Sequence, residues 1–423
     1  MPAGGEHGWQ GRHVMANPCN VLLQRTLHPV GQGGFYTEQF FVEDTKFPDS
    51  KLYTVVYDCG SMPVANVENA IDLTFHKGYL IDALFISHFD NDHINGLRKL
   101  RQRGIKLRYL VLPLLTNTQK ILAFLSTGIC KFGANEIKTY LGVDAEKVIY
   151  IRPVSSIDNE NRSNDGNPVS LDGLGRNSCS EIFLSSGTKL KIADSIEWAY
   201  IPFNICDDSL YEKILEALKT GSNSGLCKTL EAIADDSTEI ETIEQMFTPE
   251  EQARLKEIYN SVTSRHKNDS SVVVYSGPLE SSSRLMPSSQ EYGRWALRRF
   301  VHYGIGRKNV AIVYTGDINL NKWVAGSSFK KTTVVDFLSG VLQNFIELIG
   351  TIQVPHHGSC HNFNSAIIGG FPNARSYFYS YGNYNTYHHP FPGIRMRLLS
   401  QKKQPLEITE DFETEFTQLI KII

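Results

Sequence analysis

The sequence lacks the features that would place the chain in a membrane or outside the cell. None of its apolar runs approaches the roughly 20 residues that a membrane-spanning helix needs. Residues 1–17 have no apolar core of the kind found in secretory signals. The seven cysteines are odd in number and form no CxxC pair, which is typical of free thiols in a reducing compartment. We therefore expect a cytoplasmic protein with no membrane partner.

An excess of charge of one sign is also absent. The chain has 42 lysines and arginines against 45 aspartates and glutamates, a net charge of -3. That balance argues against a protein held on nucleic acid by bulk charge, although a local basic groove remains compatible with it. Six basic residues between Arg98 and Arg108 are candidates for such a groove. A solvated helix face is the simpler explanation of the same cluster.

The pattern of apolar residues predicts an α/β protein, because strand-like runs alternate with helical ones along most of the chain. We expect a disordered N-terminal tail at 1–17 and one domain at 18–423. Residues 155–265 break the pattern and are predicted to be an insertion. Its second half, about 208–262, is acidic and helical, with a helix start at Thr248-Pro249. A lid over a site and a surface for a protein partner are both compatible with this helical subdomain.

The stretch that carries the clearest chemistry is residues 83–97. An apolar run ending at Ile86 predicts a buried strand, and His88, Asp90, Asp92 and His93 follow it within six positions. Imidazole and carboxylate groups both suit a divalent transition metal. So short a run is poorly placed to wrap all four groups around one ion, which favours two ions. A polar loop that happens to contain two histidines is the alternative.

A two-metal site also needs a bridging carboxylate and another histidine from later strands. Val310 to Tyr314 is an apolar stretch followed by Gly316 and Asp317, which places a carboxylate at a strand end. The next predicted strand, 351–354, is followed by His356 and His357. One of these histidines can bind metal while the other faces substrate.

Four further residues are weaker candidates. Asp58, at the end of the strand Leu52 to Tyr57, either orients a ligand histidine or caps the next turn. His388 or His389 either donates a proton to a leaving group or is a surface histidine. His266 is more simply an exposed loop residue than a metal ligand.

In order, these residues resemble the signature of metallo-β-lactamase-fold hydrolases, which is HxHxDH, then a strand-end aspartate, then a strand-end histidine. Asp90 replaces the second histidine, giving HxDxDH. That variant is similar to the soluble hydrolase domain of ComEC-type competence proteins and to choline-binding phosphorylcholine esterases. The likeness to the ComEC type covers about 18–150 and 268–400, and its other matching segments are 30–33, 58–60, 268–274, 315–317, 356–359 and 385–390. Gly34 departs from it, standing where an acid is usual, and His388 stands where a glycine is usual.

The resemblance implies an αββα sandwich and a binuclear metal-dependent hydrolase using two divalent ions, Zn or Mn. One ion would be held by His88, Asp90 and Asp317, completed by Asn268 or water, and the other by Asp92, His93, Asp317 and His357. Asp92 would also orient a metal-bridged hydroxide, and His356 and His389 would contact the phosphate or protonate the leaving oxygen.

These expectations lead to three functional hypotheses. The first is a phosphodiesterase acting as a nuclease on a nucleic-acid substrate. The second is a hydrolase of a small phosphodiester or nucleotide signal, which a lid formed by 208–262 would favour. The third is a non-catalytic module that binds a protein partner through 208–262.

Overall fold

The described part of the chain comprises eleven segments of a computed structural model. They are residues 20–43, 51–154, 166–176, 178–220, 224–235, 242–263, 270–280, 285–292, 299–300, 309–324 and 332–422. The predictions for the tail at 1–17, for His266 and for Asn268 lie outside these residues.

The described strands form two mixed sheets, with strands numbered along the chain. The first sheet has ten strands in the order β13-β12-β18-β1-β2-β3-β4-β5-β6-β8 and the second has eight in the order β17-β16-β15-β14-β11-β10-β9-β7. The first sheet contains β1 (Asn20–Leu27), β2 (Gln32–Glu43), β3 (Lys51–Met62), β4 (Leu80–Phe85), β5 (Lys106–Pro113), β6 (Ala145–Ile151), β8 (Glu181–Leu184), β12 (Leu285–Tyr292), β13 (Arg299–Phe300) and β18 (Phe416–Ile422). The second contains β7 (Val169–Ser170), β9 (Leu190–Lys191), β10 (Trp198–Ile205), β11 (Ser271–Pro278), β14 (Ala311–Tyr314), β15 (Ile349–Gln353), β16 (Ser376–Ser380) and β17 (Gln404–Ile408).

Helices cover the outer faces of both sheets. They are α1 (Val64–Thr74), α2 (Asn91–Ile94), α3 (Leu97–Gln102), α4 (Asn117–Thr127), α5 (Ala134–Leu141), α6 (Leu171–Gly175), α7 (Ser209–Lys219), α8 (Ser224–Asp235), α9 (Pro249–Thr263), α10 (Val334–Val341), α11 (Ala366–Gly370) and α12 (Pro392–Ser400). One apolar layer joins the first sheet to α1, α3, α4, α5 and α7–α9, a second lies between the sheets, and a third joins the second sheet to α10–α12. The predicted α/β sandwich is confirmed, and this helix–sheet–sheet–helix order is consistent with the metallo-β-lactamase fold.

Both faces of the first sheet are apolar, because one packs against helices and the other against the second sheet. In the parallel pair β3 and β4, Val55 lies beside Ala83 and Val56 beside Leu84. Val56 and Leu84 face the helices, whereas Val55, Ala83 and Phe85 face the second sheet. Successive side chains of a strand point to opposite faces, so an unbroken apolar run fits a strand covered on both sides.

A buried charged network ties the two sheets together at the centre of the sandwich. Arg25 of β1 donates to Glu38 of β2 at 2.7 Å, and both side chains are buried. From the second sheet, Tyr200 and Ser276 each donate to Glu38 Oε2 at 2.6 Å and Tyr314 donates to Oε1 at 3.0 Å. Because a buried carboxylate is stable only when paired and hydrogen-bonded, these donors fix how one sheet sits on the other.

The predicted insertion at 155–265 includes a strand of the second sheet. Trp198–Ile205 (β10) pairs along its whole length with Ser271–Pro278 (β11). The helices α7, α8 and α9, called here the helical unit, follow this strand and pack against α4. The helix start predicted at Thr248-Pro249 is confirmed, since α9 begins at Pro249 and Thr248 and Glu251 exchange capping hydrogen bonds. The domain boundaries themselves stay a prediction.

Two observations bear on the expectations about compartment and membrane. The six cysteines among the described residues are all free thiols. Within the same residues, no helix combines the length and the apolar character needed to cross a bilayer. The cytoplasmic location stays a prediction.

Candidate metal centre

The predicted site residues meet at one edge of the sandwich because several strands end there. His88, Asp317 and His356 each lie three residues beyond the ends of β4, β14 and β15. Loops at the carboxyl ends of parallel strands are the usual ligand-binding positions of α/β sheets. Hydrogen bonds hold these loops together. Between the sheets, Val272 N of β11 donates to Ser87 O at 2.8 Å, and within the second sheet His356 N donates to Gly316 O at 3.1 Å.

Glycines let the loop that carries Asp90 to His93 lie directly on its neighbours. A Cβ atom added to Gly60 would come within 2.6 Å of the backbone of Asp92 and His93. Gly33 has φ +145, and a Cβ there would lie 2.4 Å from Gly60 O and 2.6 Å from Asp92 O. A glycine is therefore required at position 33 for this close approach.

Asp317 lies at the centre of the cluster. Its Oδ1 is 3.4 Å from His93 Nε2 and 3.9 Å from His357 Nε2, and its Oδ2 is 3.8 Å from His88 Nε2. On the same side, His357 Nε2 is 3.2 Å from Asp92 Oδ2. The two oxygens of Asp317 thus face different histidines, which is the geometry that a bridging carboxylate needs.

The possible ligand atoms that face one another in the cluster are those that make no hydrogen bond. The Nε2 atoms of His88, His93 and His357 and Oδ1 of Asp317 are buried, and among the described residues none of the four has a hydrogen-bond partner. Leaving such groups buried and unpaired costs roughly 1–3 kcal/mol each. A cation among them would satisfy all four, so these residues fit a metal centre.

The opposite ring nitrogens are held, and this fixes the tautomers. His93 Nδ1 lies 2.8 Å from Asp58 Oδ2, and His357 Nδ1 lies 2.8 Å from the carbonyl oxygen of Ser380; each nitrogen therefore donates. Ser87 Oγ donates to Asp58 at 2.8 Å, so it must accept from His88 Nδ1, also 2.8 Å away. All three Nε2 atoms then carry a lone pair toward the cluster, as metal ligation requires.

The prediction that Asp58 orients a candidate ligand histidine is confirmed by this contact with His93. Ser87 and the carbonyl of Ser380 were not predicted from the sequence. For Ser87, the only signal in the sequence was its position directly before His88. The carbonyl of Ser380 had no signal, because every residue has a backbone carbonyl.

Strained backbone is concentrated at the same place. Of five non-glycine residues with positive φ in the described segments, Asp58, His356, His357 and His388 belong to the loops around the cluster. Their φ values of 50–58° lie in the left-handed region, which is costly for residues with a Cβ. Such conformations persist where the surroundings hold them, and they are common at functional sites.

The charges of the cluster shift its pKa values in opposite directions. Burial opposes ionisation of Asp317, but the charges of His356, His93 and His357 outweigh it and hold the pKa of Asp317 well below its usual range. Burial also opposes ionisation of Asp92, but the neighbouring imidazoles of His357 and His93 outweigh it and lower the pKa of Asp92. Conversely, although burial works against a charged imidazole, Asp317 and Asp58 raise the pKa of His93 well above its ordinary value.

Five of the six predicted ligands are brought together, in two overlapping groups that share His93. One group is His88, His93 and Asp317, and the other is Asp92, His93 and His357, with the ligand atoms of each group within 4.8 Å of one another. Asp90 is more peripheral: its Oδ2 lies 3.7 Å from His88 Nε2, and its side chain is partly exposed. Which residue binds which ion stays a prediction.

The predicted substrate-facing histidines lie beside the cluster. His356 Nε2 is 3.7 Å from Asp317 Oδ2. His389 is half-buried, and its ring centroid lies 5.7 Å from that of His356. His388 is exposed. Of the two histidines left open by the sequence, His389 is therefore the one next to His356.

The helical unit lies close to the cleft beside the cluster. A cavity next to His88 and Asp90 is lined by Gln119, Ala123 and Ser126 of α4, the helix against which the helical unit packs. Burial and the negative charge of Asp90 raise the pKa of Tyr259, in α9, to about 12. Tyr259 is thus close enough to Asp90 to be affected by its charge, which no pattern in the sequence pointed to.

Three of the six residues in the basic cluster between Arg98 and Arg108 pair with neighbouring acids. Lys99 and Arg103 pair with Asp72 at 2.9 Å and 2.6 Å. Arg108 lies between two further carboxylates, at 3.0 Å from Asp172 and 3.4 Å from Asp82. This arrangement favours the simpler of the two interpretations, a surface stabilised by ion pairs, over a rim that grips phosphates.

Comparisons with known proteins identify no family for this chain. No protein-family model matches it, and no curated protein matches it. Among solved structures, it is similar to the crystal structure of a long-form RNase Z from yeast, with 11% sequence identity and a TM-score of 0.31. That match covers 86% of this chain but only 37% of the RNase Z chain. The likeness is too slight to transfer a substrate or a mechanism.

Proposed function

We propose that this chain is a two-metal hydrolase of phosphodiester bonds and that it acts as a nuclease. One observation carries the proposal: three buried histidine Nε2 atoms and a carboxylate oxygen of Asp317 converge with no other partner among the described residues. The HxDxDH order at 88–93 supports the ComEC type of hydrolase within the metallo-β-lactamase fold. We propose His88, Asp90, Asp92, His93, Asp317 and His357 as the ligands.

Two divalent ions held by these residues would supply Lewis acidity and neutralise negative charge on the phosphoryl group. The lowered pKa of Asp92 keeps its carboxylate ionised, so that it can accept a hydrogen bond from the attacking water and orient it. His356 lies beside Oδ2 of Asp317, and His389 lies next to His356. They would hold a non-bridging phosphoryl oxygen and protonate the leaving oxygen.

The donor set narrows the metal to two candidates. Three imidazoles and three carboxylates are borderline ligands that suit Zn, while the carboxylate share makes Mn equally suitable. We therefore propose either ion, and metal analysis of the purified protein distinguishes them.

A specific observation supports the second hypothesis, hydrolysis of a small phosphodiester or nucleotide signal. The helical unit packs against α4, which lines the cavity beside His88 and Asp90, and the charge of Asp90 raises the pKa of Tyr259 in this unit. The helical unit would therefore limit how much substrate can enter on that side. A partner-binding role for the helical unit, and the non-catalytic hypothesis that depends on it, stay predictions.

Cleavage assays distinguish these functions. Single-stranded DNA, duplex DNA, RNA and bis-p-nitrophenyl phosphate would be incubated with Mn, Zn or a chelator. The wild type would be compared with the double variant Asp92→Ala/His93→Ala and with His361→Ala, an exposed histidine outside both ligand groups. We expect metal-dependent cleavage of a nucleic acid that only the double variant loses.

Other outcomes contradict parts of the proposal. Turnover of the small diester without cleavage of any polymer would replace the nuclease with a small-molecule phosphodiesterase. Absence of all turnover in a protein shown to contain two metal ions would favour the non-catalytic hypothesis.

A further inference from the structure

The loop that carries His389 also presents two exposed tyrosines. This segment, residues 381–391, follows β16 and is called here the histidine loop. The side chain of Tyr384 is 94% exposed and that of Tyr387 is 56% exposed. Large aromatic side chains at such exposure commonly mark binding surfaces when they lie together beside a functional site. The ring of Tyr387 is stacked with that of His389, with centroids 6.0 Å apart and an interplanar angle of 17°.

The histidine loop is held in one shape by Asn385. Its amide nitrogen donates to the carbonyl oxygens of Gly382 and His389 at 2.7 Å and 2.6 Å. Its amide oxygen accepts from the backbone N–H groups of Tyr387 and His389 at 3.2 Å and 3.0 Å. With the backbone fixed in this way, the tyrosines on either side of Asn385 are presented at a low cost in conformational entropy.

The same loop is fastened to the metal centre. Phe391 N donates to Gly358 O at 2.9 Å, directly after His357. Gly358 has φ +84, and a Cβ atom there would lie 2.6 Å from Pro390 Cβ. The exposed tyrosines are therefore a fixed part of the rim around the cluster.

We propose that Tyr384 and Tyr387 stack on unpaired bases, and that the substrate is a single-stranded nucleic acid. This inference rests on the proposed phosphodiester hydrolysis at the metal centre. Base stacking on aromatic side chains binds single strands without reading sequence, whereas the bases of a duplex are already stacked on one another. Stacking also fits a chain whose net charge is -3 and in which half of the main basic cluster is paired with acids.

Docking of a protein partner on the same tyrosines is less consistent with the surface. The neighbours of the two side chains in sequence are polar, namely Asn383, Asn385, Thr386 and His388. Protein interfaces instead have a contiguous apolar core. Separate aromatic faces set among polar groups, next to a candidate phosphodiester site, are typical of surfaces that bind single strands.

The test compares Tyr384→Ala, Tyr387→Ala and the matching phenylalanine variants, with Leu73→Ala on α1, which is about as exposed as Tyr387, as the control. Steady-state cleavage would be measured on a single-stranded oligonucleotide, on the same strand with abasic sites, and on bis-p-nitrophenyl phosphate. Fluorescence anisotropy with the labelled oligonucleotide in chelator would report binding independently of turnover.

We expect each alanine variant to raise KM and Kd for the normal strand about five- to tenfold, at the low end for base stacking. The phenylalanine and Leu73→Ala variants should resemble the wild type. The abasic strand should bind weakly to every variant, and turnover of the small diester should change less than about twofold.

Three results would overturn the stacking proposal. The first is unchanged KM and Kd in both alanine variants, which would leave the tyrosines to another partner. The second is an equal loss on the small diester, which would mean that the loop shapes the metal centre. The third is equal affinity for normal and abasic strands. If the wild type hydrolyses no diester, the proposed hydrolase fails instead, while anisotropy still reports on stacking.

Discussion

Asn in place of Asp58 should weaken metal binding at both proposed ion sites through a change of histidine tautomer. Asp58 accepts three hydrogen bonds of 2.8 Å, from the backbone N–H of Ser87, from Ser87 Oγ and from His93 Nδ1. An asparagine can accept the first with its oxygen. Its NH2 group would then stand where the carboxylate oxygen accepted the other two.

The consequences can be followed atom by atom. An NH2 group opposite His93 Nδ1 forces that nitrogen to accept, which moves the ring proton to Nε2, the atom facing Asp317. The other N–H donates to Ser87 Oγ, which then donates to His88 Nδ1 and moves the proton of His88 to its Nε2 as well. Asparagine tolerates the left-handed backbone at this position, φ 56, so the chain should fold.

Loss of a group that orients a ligand histidine usually costs 10- to 100-fold in metal affinity, or about 1.4–2.7 kcal/mol. Here one substitution affects two histidines, so we expect both ion affinities to fall by at least about tenfold. Competition titration against a chelator measures this, and 15N NMR of the imidazoles reports the tautomers directly. Asp82→Asn is the matched control, because Asp82 is also buried and accepts a backbone N–H, from Thr54 at 2.9 Å.

The reasoning would be refuted by wild-type affinity in Asp58→Asn with Nε2 protonated on both histidines. Wild-type affinity with unchanged tautomers would contradict the hydrogen-bond assignment instead. Similar losses in Asp82→Asn would mean that general destabilisation, and not the tautomer, lowers the affinity.

Three further changes test the fold and the site. Gly60→Ala should lower the free energy of unfolding by about 1–3 kcal/mol and abolish metal binding, because the added Cβ overlaps the metal loop, while Gly340→Ala, with nothing within 4 Å, should do neither. Arg25→Met leaves Glu38 buried without its cation and should lower the free energy of unfolding, measured with denaturant, by about 3–5 kcal/mol. Adding Glu38→Gln should restore part of this loss, and full stability of Arg25→Met would contradict the buried network. In chelator, the raised pKa of His93 means that its protonation stabilises the folded protein. This contribution to the free energy of unfolding is complete below the unfolded pKa of about 6.5 and is lost as pH rises through the folded pKa. The Tm of chelated protein should therefore fall above about pH 6.5, and a rise in Tm over that range would contradict the assignment.

The ligand set could be predicted because its signal is local. Apolar runs followed by short polar loops mark strand ends, and the parallel strands of a sheet deliver their carboxyl ends to one edge. This places Asp317 and His356 together in the second sheet, and they meet His88 because the corresponding edge of the first sheet lies beside them. Their large separation along the chain did not prevent the prediction, because each of them directly follows an apolar strand.

What could not be predicted depends on contacts between distant segments with no periodic pattern. The sequence placed Trp198–Ile205 in an insertion, since only its pairing with β11 reveals it as part of the second sheet. It could not show that Asp72 pairs with both Lys99 and Arg103, because a run of basic residues looks the same in sequence whether or not acids lie opposite. The proximity of Tyr259 to Asp90 could not be predicted either, because it depends on how the helical unit packs against α4.

The metal centre couples the stability of its loops to the ion. Four buried ligand atoms that have no hydrogen-bond partner within the described segments, and several left-handed residues, each cost on the order of 1 kcal/mol or more. Together they raise the free energy of these loops in the absence of a cation. An ion that binds only the folded arrangement recovers this energy, adding RT ln(1 + [metal]/Kd) to stability, about 2.7 kcal/mol at one hundred times Kd. The loops around His88, Asp317 and His357 should therefore exchange amide hydrogens faster in chelator than in metal, while β3 and β4 beneath them keep their protection. Uniform protection in both conditions would mean that the protein scaffold alone supports the strained loops, and that the converging atoms are satisfied without a metal.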